Sequence, residues 1–300
     1  MDEQQHIGLI QRAAAKLKQA ELRPSGQATT ASFGTLALAH VESASVGGQP
    51  KPPEYIPRPP DVMIDRSRLA QAGIAFPSDE RSRLAEEFRV IKGQVLSMAH
   101  RHAADNLAGR PTRLIMVTSA RPLEGKTFVA ANLALAIASE QDYRVLLIDC
   151  DPTRQTLGDM LGVRSKSGLG DLLHGDRANI SEILQHTDIP NLNVIPFGKR
   201  HASMPEMLSS NRMKGLLEEM GRRYSDRYIV LDAPPCLATS DASILAPLVG
   251  QIIFVVEANR TQQPEIEEGI RLVRACPNIS LVLNKTDGNS PEQFGSHGYY

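Results

Sequence analysis

The sequence has too few cysteines for a disulfide framework. Cys150, Cys236 and Cys276 are odd in number, and no two form a Cys-x-x-Cys pair. They read as small buried thiols in a reducing compartment. The eight histidines lack metal-ligand spacing, which leaves them as surface or core residues. No apolar run approaches the roughly 18 residues that a membrane span needs. The opening Met1-Asp2-Glu3-Gln4-Gln5 is neither a basic n-region nor the start of an apolar h-region. Both absences predict a cytoplasmic chain that reaches a membrane only through a partner. Excess charge is missing too: the formal net charge of −1 argues against a general nucleic-acid coat, so no nucleic-acid partner is expected. No internal repeat is found.

What is present is ordinary for a soluble globular protein: 41% apolar and 22% charged residues in a chain of 300. That length builds one good core with room for a small extra module. Ile7, Ile10, Ala14 and Leu17 recur at helical spacing between Arg12, Lys16 and Lys18, so residues 1–22 read as an amphipathic helix. It suits docking on a partner, docking on a membrane surface, or packing on its own domain. Residues 23–78 read as a linker rich in Pro, Ser and Gly. It includes Pro50-Lys51-Pro52-Pro53-Glu54-Tyr55-Ile56-Pro57-Arg58-Pro59-Pro60 and lacks periodic apolar residues that would offset ordering entropy. The core domain is read as 79–288, with a flexible tail at 289–300.

Within that domain Leu84, Phe88, Ile91 and Leu96 fall near one face of a helix reaching about residue 105. Leu114–Val117 is a continuous apolar run, as expected of a strand buried on both faces, and further runs follow at Val145–Ile148, Leu192–Phe197, Tyr228–Leu231, Ile252–Val256 and Ile279–Leu283. Helical patterns at 127–139, 204–222, 241–248 and 264–275 separate most of them. The alternation predicts an α/β fold: a mainly parallel sheet with helices on both faces, and ligands at the carboxyl ends of strands.

Ser119-Ala120-Arg121-Pro122-Leu123-Glu124-Gly125-Lys126-Thr127 follows the first strand and opens a helix, the context that a Walker A loop requires. Phosphate needs inward N–H groups and the positive end of a helix. Gly125 permits close backbone approach, Lys126 reaches the β- and γ-phosphates, and Thr127 offers a hydroxyl to magnesium. Ala120 replaces the usual first glycine. The strand Val145–Ile148 ends in Asp149 and Asp151, two carboxylates on the same side of an extended chain. They suit magnesium coordination or proton abstraction. Tyr228–Leu231 ends in Asp232-Ala233-Pro234-Pro235, like a Walker B strand. After the last strand, Asn284-Lys285-Thr286-Asp287 suits either reading of a base or a plain Asx turn.

These blocks resemble the bacterial tyrosine kinases, the BY-kinases, which share a broad P-loop group with the Min and Par ATPases. The resemblance covers about residues 80–288. Ser119–Thr127 matches the family's Walker A, Leu146–Arg154 its A-prime motif, and Ile229–Pro235 its Walker B with the double proline. Ser167–Leu173, Pro205–Leu208, Ser240–Ala242 and Leu283–Asp287 match further stretches. Glu86-Glu87-Phe88-Arg89-Val90-Ile91-Lys92 resembles the Glu-x-x-Arg-x-x-Arg helix of ring assembly, with Lys92 where the family has arginine; lysine keeps the charge and loses the planar fork. The N-terminal helix and Asp79–Ala85 are most similar to kinases of exosortase-linked exopolysaccharide operons.

The resemblance implies ATP and Mg2+ as cofactors and phosphoryl transfer between subunits to a C-terminal tyrosine cluster, here Tyr299 and Tyr300. It implies nucleotide binding by Ala120, Glu124, Gly125, Lys126, Thr127, Phe128, Asn284 and Asp287. Thr127, Asp151 and Asp232 would surround the metal. Lys126, Asp149 and Asp151 would be catalytic, and Glu86, Arg89 and Lys92 would form the oligomer contact. It further implies a homo-oligomer that regulates exopolysaccharide synthesis or export at the inner face of the membrane. A separate membrane-embedded activator resembling polysaccharide chain-length regulators would recruit it. Two alternatives stay open: a Min/Par-like ATPase switch, with Arg121 where those proteins carry a signature lysine, and a non-catalytic scaffold of an export complex.

Overall fold

The six apolar runs become six strands of one seven-stranded sheet; the seventh, Gln185–His186, follows no apolar run. In a computed structural model, residues 59–74, 82–104, 111–154, 156–163, 165, 167–199, 204–224 and 227–286 are described. All belong to a single unit spanning Ile56–Tyr300. The helix expected at 1–22, most of the linker, Asp287, and the tail with Tyr299 and Tyr300 lie outside the described residues.

The strands are β1 (Leu114–Ser119), β2 (Arg144–Asp149), β3 (Gln185–His186), β4 (Leu192–Ile195), β5 (Arg227–Asp232), β6 (Gln251–Glu257) and β7 (Ile279–Asn284). Their order across the sheet is β3-β4-β2-β5-β1-β6-β7. The two-residue β3 pairs antiparallel, and every other pairing is parallel. This is the α/β architecture expected from alternating strand and helix patterns. Leu114, Met116, Leu146, Ile148, Ile229 and Leu231 enter the core on one face. Ile115, Val117, Val145, Leu147, Tyr228 and Val230 enter the core on the other. Because side chains alternate along a strand, only an unbroken apolar run can serve two cores at once.

In the order of the chain the helices are α1 (Arg66–Gln71), α2 (Arg83–Ala104), α3 (Lys126–Ala138), α4 (Thr156–Leu161), α5 (Leu169–His174), α6 (Met204–Leu208), α7 (Asn211–Arg223), α8 (Asp241–Leu245) and α9 (Gln263–Val273). α3 is apolar all round because it lies between the sheet and α2, where even Lys126 and Thr127 are buried. Phe88 of α2 meets Phe128 of α3 edge-on, with ring centroids 6.0 Å apart. β1 ends between β5 and β6, and Asp149 of β2 stands opposite Asp232 of β5 in the ladder. The three motif-bearing strand ends therefore share one edge of the sheet.

Two helical patterns divide. The expected 204–222 helix is α6 and α7, because Ser210 takes an extended backbone and its Oγ accepts the Met213 N–H at 3.2 Å as an N-cap. The 241–248 helix stops at Leu245 and passes into a 3-10 turn, Ala246–Leu248, that contains Pro247.

The linker boundary is a larger correction. Residues 59–74, read from sequence as linker, pack on the domain, with Ile64, Leu69 and Ile74 buried in the same core as α3. Asp65 caps α1, accepting N–H bonds from Ser67 and Arg68. Arg66 pairs with Asp188 at 2.9 Å, Asp61 meets His186 at 2.9 Å, and the Asp65 N–H donates to Leu161 O of α4 at 3.0 Å. Three apolar residues at five-residue intervals fit neither helical nor strand period, so the strap is invisible to pattern. Leu69→Ala should cost about 2–5 kcal/mol in urea unfolding. A wild-type midpoint for this variant would place the strap outside the cooperative unit.

Candidate nucleotide-binding site

The loop after β1 is held in an unusual backbone. Leu123 and Gly125 both take left-handed conformations, with φ of 73° and 97°. At Gly125 any side chain is excluded twice over: the φ is unfavourable, and a Cβ would lie 1.9 Å from Asn284 Nδ2. Ala120 has no such demand. It is absent from the residues with positive φ, is wholly buried, and accepts the Leu237 N–H at 3.2 Å. That is why the first glycine of the usual motif is dispensable here.

Lys126 opens α3 and points into carboxylates. Its Nζ lies 2.7 Å from Asp151 Oδ2 and 3.5 Å from Asp232 Oδ1. Burial alone would favour the neutral amine, but the charges of Asp232, Asp151 and Asp149 outweigh it and keep the ammonium protonated. Burial would likewise raise Asp151. Lys126 and the Thr153 hydroxyl and N–H reverse that and lower its pKa. Asp149 is different: burial, then the neighbouring Asp232 charge, raise it well above the usual carboxylate value. Its Oδ1 accepts the Asp151 N–H at 3.0 Å, which fixes its orientation. Burial also raises Asp232.

Asp232 Oδ1 is buried, and its 3.5 Å approach to Lys126 Nζ is an ion pair without a well-formed hydrogen bond. A buried, incompletely satisfied carboxylate oxygen on a residue that the Thr127 hydroxyl also reaches fits a hard cation of the magnesium kind. Among the described residues no three His, Cys, Asp or Glu side chains converge to hold a metal unaided. Magnesium characteristically relies on one or two carboxylates and completes its shell with phosphate and water.

Several other sequence-expected residues sit differently. Glu124 is buried, and its carboxylate accepts from the Arg121 N–H and the Thr261 hydroxyl instead of facing the loop's open side. The half-buried Phe128 ring packs edge-on against Phe88. Asn284 donates its side-chain amide to Glu124 O at 2.8 Å, bracing the loop. Glu86 and Arg89 are exposed on α2 and pair with each other. Lys92 is buried and pairs with Glu140 of its own chain, so it does not share their exposed face. Arg154 is exposed.

Sequence reasoning passed over two site neighbours. Asp241 is buried close enough for Asp151 to raise its pKa together with burial. The Ser240-Asp241-Ala242 block carried that signal. Thr261 reaches the loop across 137 positions of sequence, and no local signal marks it.

Fold and loop together define a P-loop nucleotide-binding domain. The AAA domain family matches residues 112–267. The chain belongs to that family and, within it, to the bacterial tyrosine kinases. It is 35% identical over 161 residues to the tyrosine-protein kinase ptk of Acinetobacter johnsonii, covering 54% of this chain and 21% of that protein. It is 26% identical over 238 residues to the tyrosine-protein kinase YwqD of Bacillus subtilis, covering 79% of this chain and 94% of that protein. The solved kinase domain of the Escherichia coli tyrosine kinase ETK superposes with a TM-score of 0.59 at 27% identity, over 77% of this chain and 98% of that one. The chain thus spans about a fifth of the length of the Acinetobacter relative. Among the described residues no helix is long and apolar enough to cross a membrane.

The carboxylates give a pH signature. Asp149 and Asp232 have raised pKa values, so the stability they contribute is fully present below the unfolded value of 3.8 and lost as pH rises through their folded values. Asp151, lowered, contributes above 3.8 and loses that contribution as pH falls through its folded value. Asp149→Asn removes the repulsion and keeps the acceptor for the Asp151 N–H. It should raise the melting temperature of the nucleotide-free protein at neutral pH by about a few degrees. It should also flatten the pH dependence of melting; a lowered melting temperature would show that Asp149 is not under strain.

Proposed function

We propose that this chain is an ATP-dependent protein-tyrosine kinase that phosphorylates Tyr299 and Tyr300 of a neighbouring copy. The observation that carries the reading is the convergence of Lys126 with Asp151 and Asp232, beside a carboxylate, Asp149, whose pKa is raised. The loop N–H groups and Lys126 hold the β- and γ-phosphates, with Lys126 exchanging carboxylate partners for phosphate oxygens. Thr127 and Asp232 hold Mg2+, with Asp151 supporting its shell. The bound ion supplies positive charge against the phosphoryl oxygens. Asp149 accepts the phenolic proton as the tyrosine oxygen attacks the γ-phosphorus and ADP departs. A phenol of ordinary pKa about 10 needs such a base at neutral pH, and a raised carboxylate pKa makes the better base. Positioning and charge account for most of such catalysis.

Transfer between copies requires assembly, and Glu86 and Arg89 are exposed where they can exchange each other for a neighbour's charges. Lys92, committed to Glu140, supports α2 from behind. Regulation of exopolysaccharide synthesis or export through a separate membrane-embedded activator at the inner face of the membrane completes the reading. Arg121, at the signature position of the Min/Par-like alternative, is half exposed and lies 3.3 Å from Glu265 of its own chain.

Incubation with MgATP followed by phosphotyrosine mass spectrometry tests the proposal. Modified Tyr299 or Tyr300 is expected, reduced about a hundredfold or more in Lys126→Ala. Undiminished labelling in that variant would defeat the assignment, and ATP turnover without any phosphotyrosine would favour the switch.

A further inference from the structure

We propose that Glu124 and Thr261 form a latch that holds the phosphate-binding loop in its strained shape. Glu124 is then a positioning residue rather than a ligand of the nucleotide. The inference deepens the nucleotide-binding reading above and rests on it for its functional consequence.

Glu124 sits between two left-handed residues, Leu123 and Gly125. For Leu123 that backbone is unfavourable, and its side chain offers no compensation, being 62% exposed. The shape must be imposed from outside the loop. Lys285 Nζ donates to Leu123 O at 2.7 Å, and Asn284 Nδ2 donates to Glu124 O at 2.8 Å. In a trans peptide the carbonyl and the next N–H point opposite ways, and no cis bond is present among the described residues. Anchoring these two carbonyls on β7's end therefore turns the N–H groups of Glu124 and Gly125 to the other side, where an anion would lie.

The Glu124 carboxylate fixes the remaining corner. One oxygen accepts the Arg121 N–H at 2.7 Å, closing the loop on itself. The other accepts from the Thr261 hydroxyl. Thr261 Oγ in turn accepts the Glu257 N–H at 3.0 Å, so its own proton is committed to Glu124. With Glu124 only 2% exposed, a carboxylate missing either donor would be buried and under-satisfied. The β6–α9 connection is thereby part of the phosphate-binding machinery, although none of its residues is needed to touch phosphate.

Two measurements on the full chain test the latch. Hydrogen exchange of the nucleotide-free protein reads the backbone of residues 119–127 directly, and titration with a fluorescent MgADP analogue reads the consequence. Glu124→Ala and Thr261→Val should each speed exchange in the loop, and each should weaken the analogue about tenfold, as expected for a hydrogen bond to a charged group. Exchange in α2 should be unchanged. The double variant should bind no more weakly than Glu124→Ala alone, because the two groups act as one unit. Glu124→Gln, which can still accept from Arg121 N–H and bond to Thr261, should retain most of the affinity. Unchanged loop exchange in Thr261→Val, or fully additive losses in the double variant, would overturn the latch. Thr261→Val is close to isosteric and decides the matter if Glu124→Ala does not fold. A wild-type chain that fails to bind the analogue would defeat the nucleotide reading, while the exchange data would still decide the latch.

Discussion

One ammonium group answers for a cluster of carboxylates. The parallel sheet gathers the ends of β2 and β5, and with them Asp149, Asp151 and Asp232, against the first residue of α3. Lys126 is buried there and charged, and it is the counter-ion that makes such a gathering tolerable. The compensation is incomplete. Asp149 and Asp232 keep raised pKa values, and one Asp232 oxygen has only the 3.5 Å ion pair to Lys126 in place of a well-formed hydrogen bond. A fold carrying this arrangement is set up to receive further positive charge along with phosphate, since buried polar groups are otherwise paired.

The second constraint is geometric. Phosphate recognition by backbone needs several N–H groups turned one way, a shape that a free chain does not hold. Here it is produced by contacts from distant parts of the chain: Asn284 and Lys285 at the end of β7, and Thr261 before α9. Both segments reach the loop only because β6 and β7 lie on the same side of β1 in the sheet. Strand order thus decides the conformation of nine residues that sequence alone marks as a phosphate loop.

Much was legible beforehand because it is local chemistry. Apolar runs of four to six residues marked six of the seven strands, and a Gly-Lys-Thr at a strand–helix junction marked the loop. Aspartates at strand ends named the acidic partners. The Glu86–Lys92 block read correctly as helix, but periodicity could not show that Lys92 turns inward to Glu140 while Glu86 and Arg89 stay exposed. Nor could composition separate Ile64, Leu69 and Ile74 from the proline-rich stretch before them, since their burial is supplied by Leu161, Asp188 and the α3 core.

The α/β class, the position of the phosphate loop and the residue types able to manage a triphosphate can all be read from the order of residues along the chain. All three follow from side-chain periodicity and short-range backbone preference. Which carboxylates face Lys126, which way the Glu124 side chain turns and that residues 59–74 pack on the domain emerge from the folded chain alone. Those depend on contacts between residues up to about 160 positions apart, such as Asn284 with Glu124, and on burial, which changes the energy of a charge more than any neighbour in sequence can.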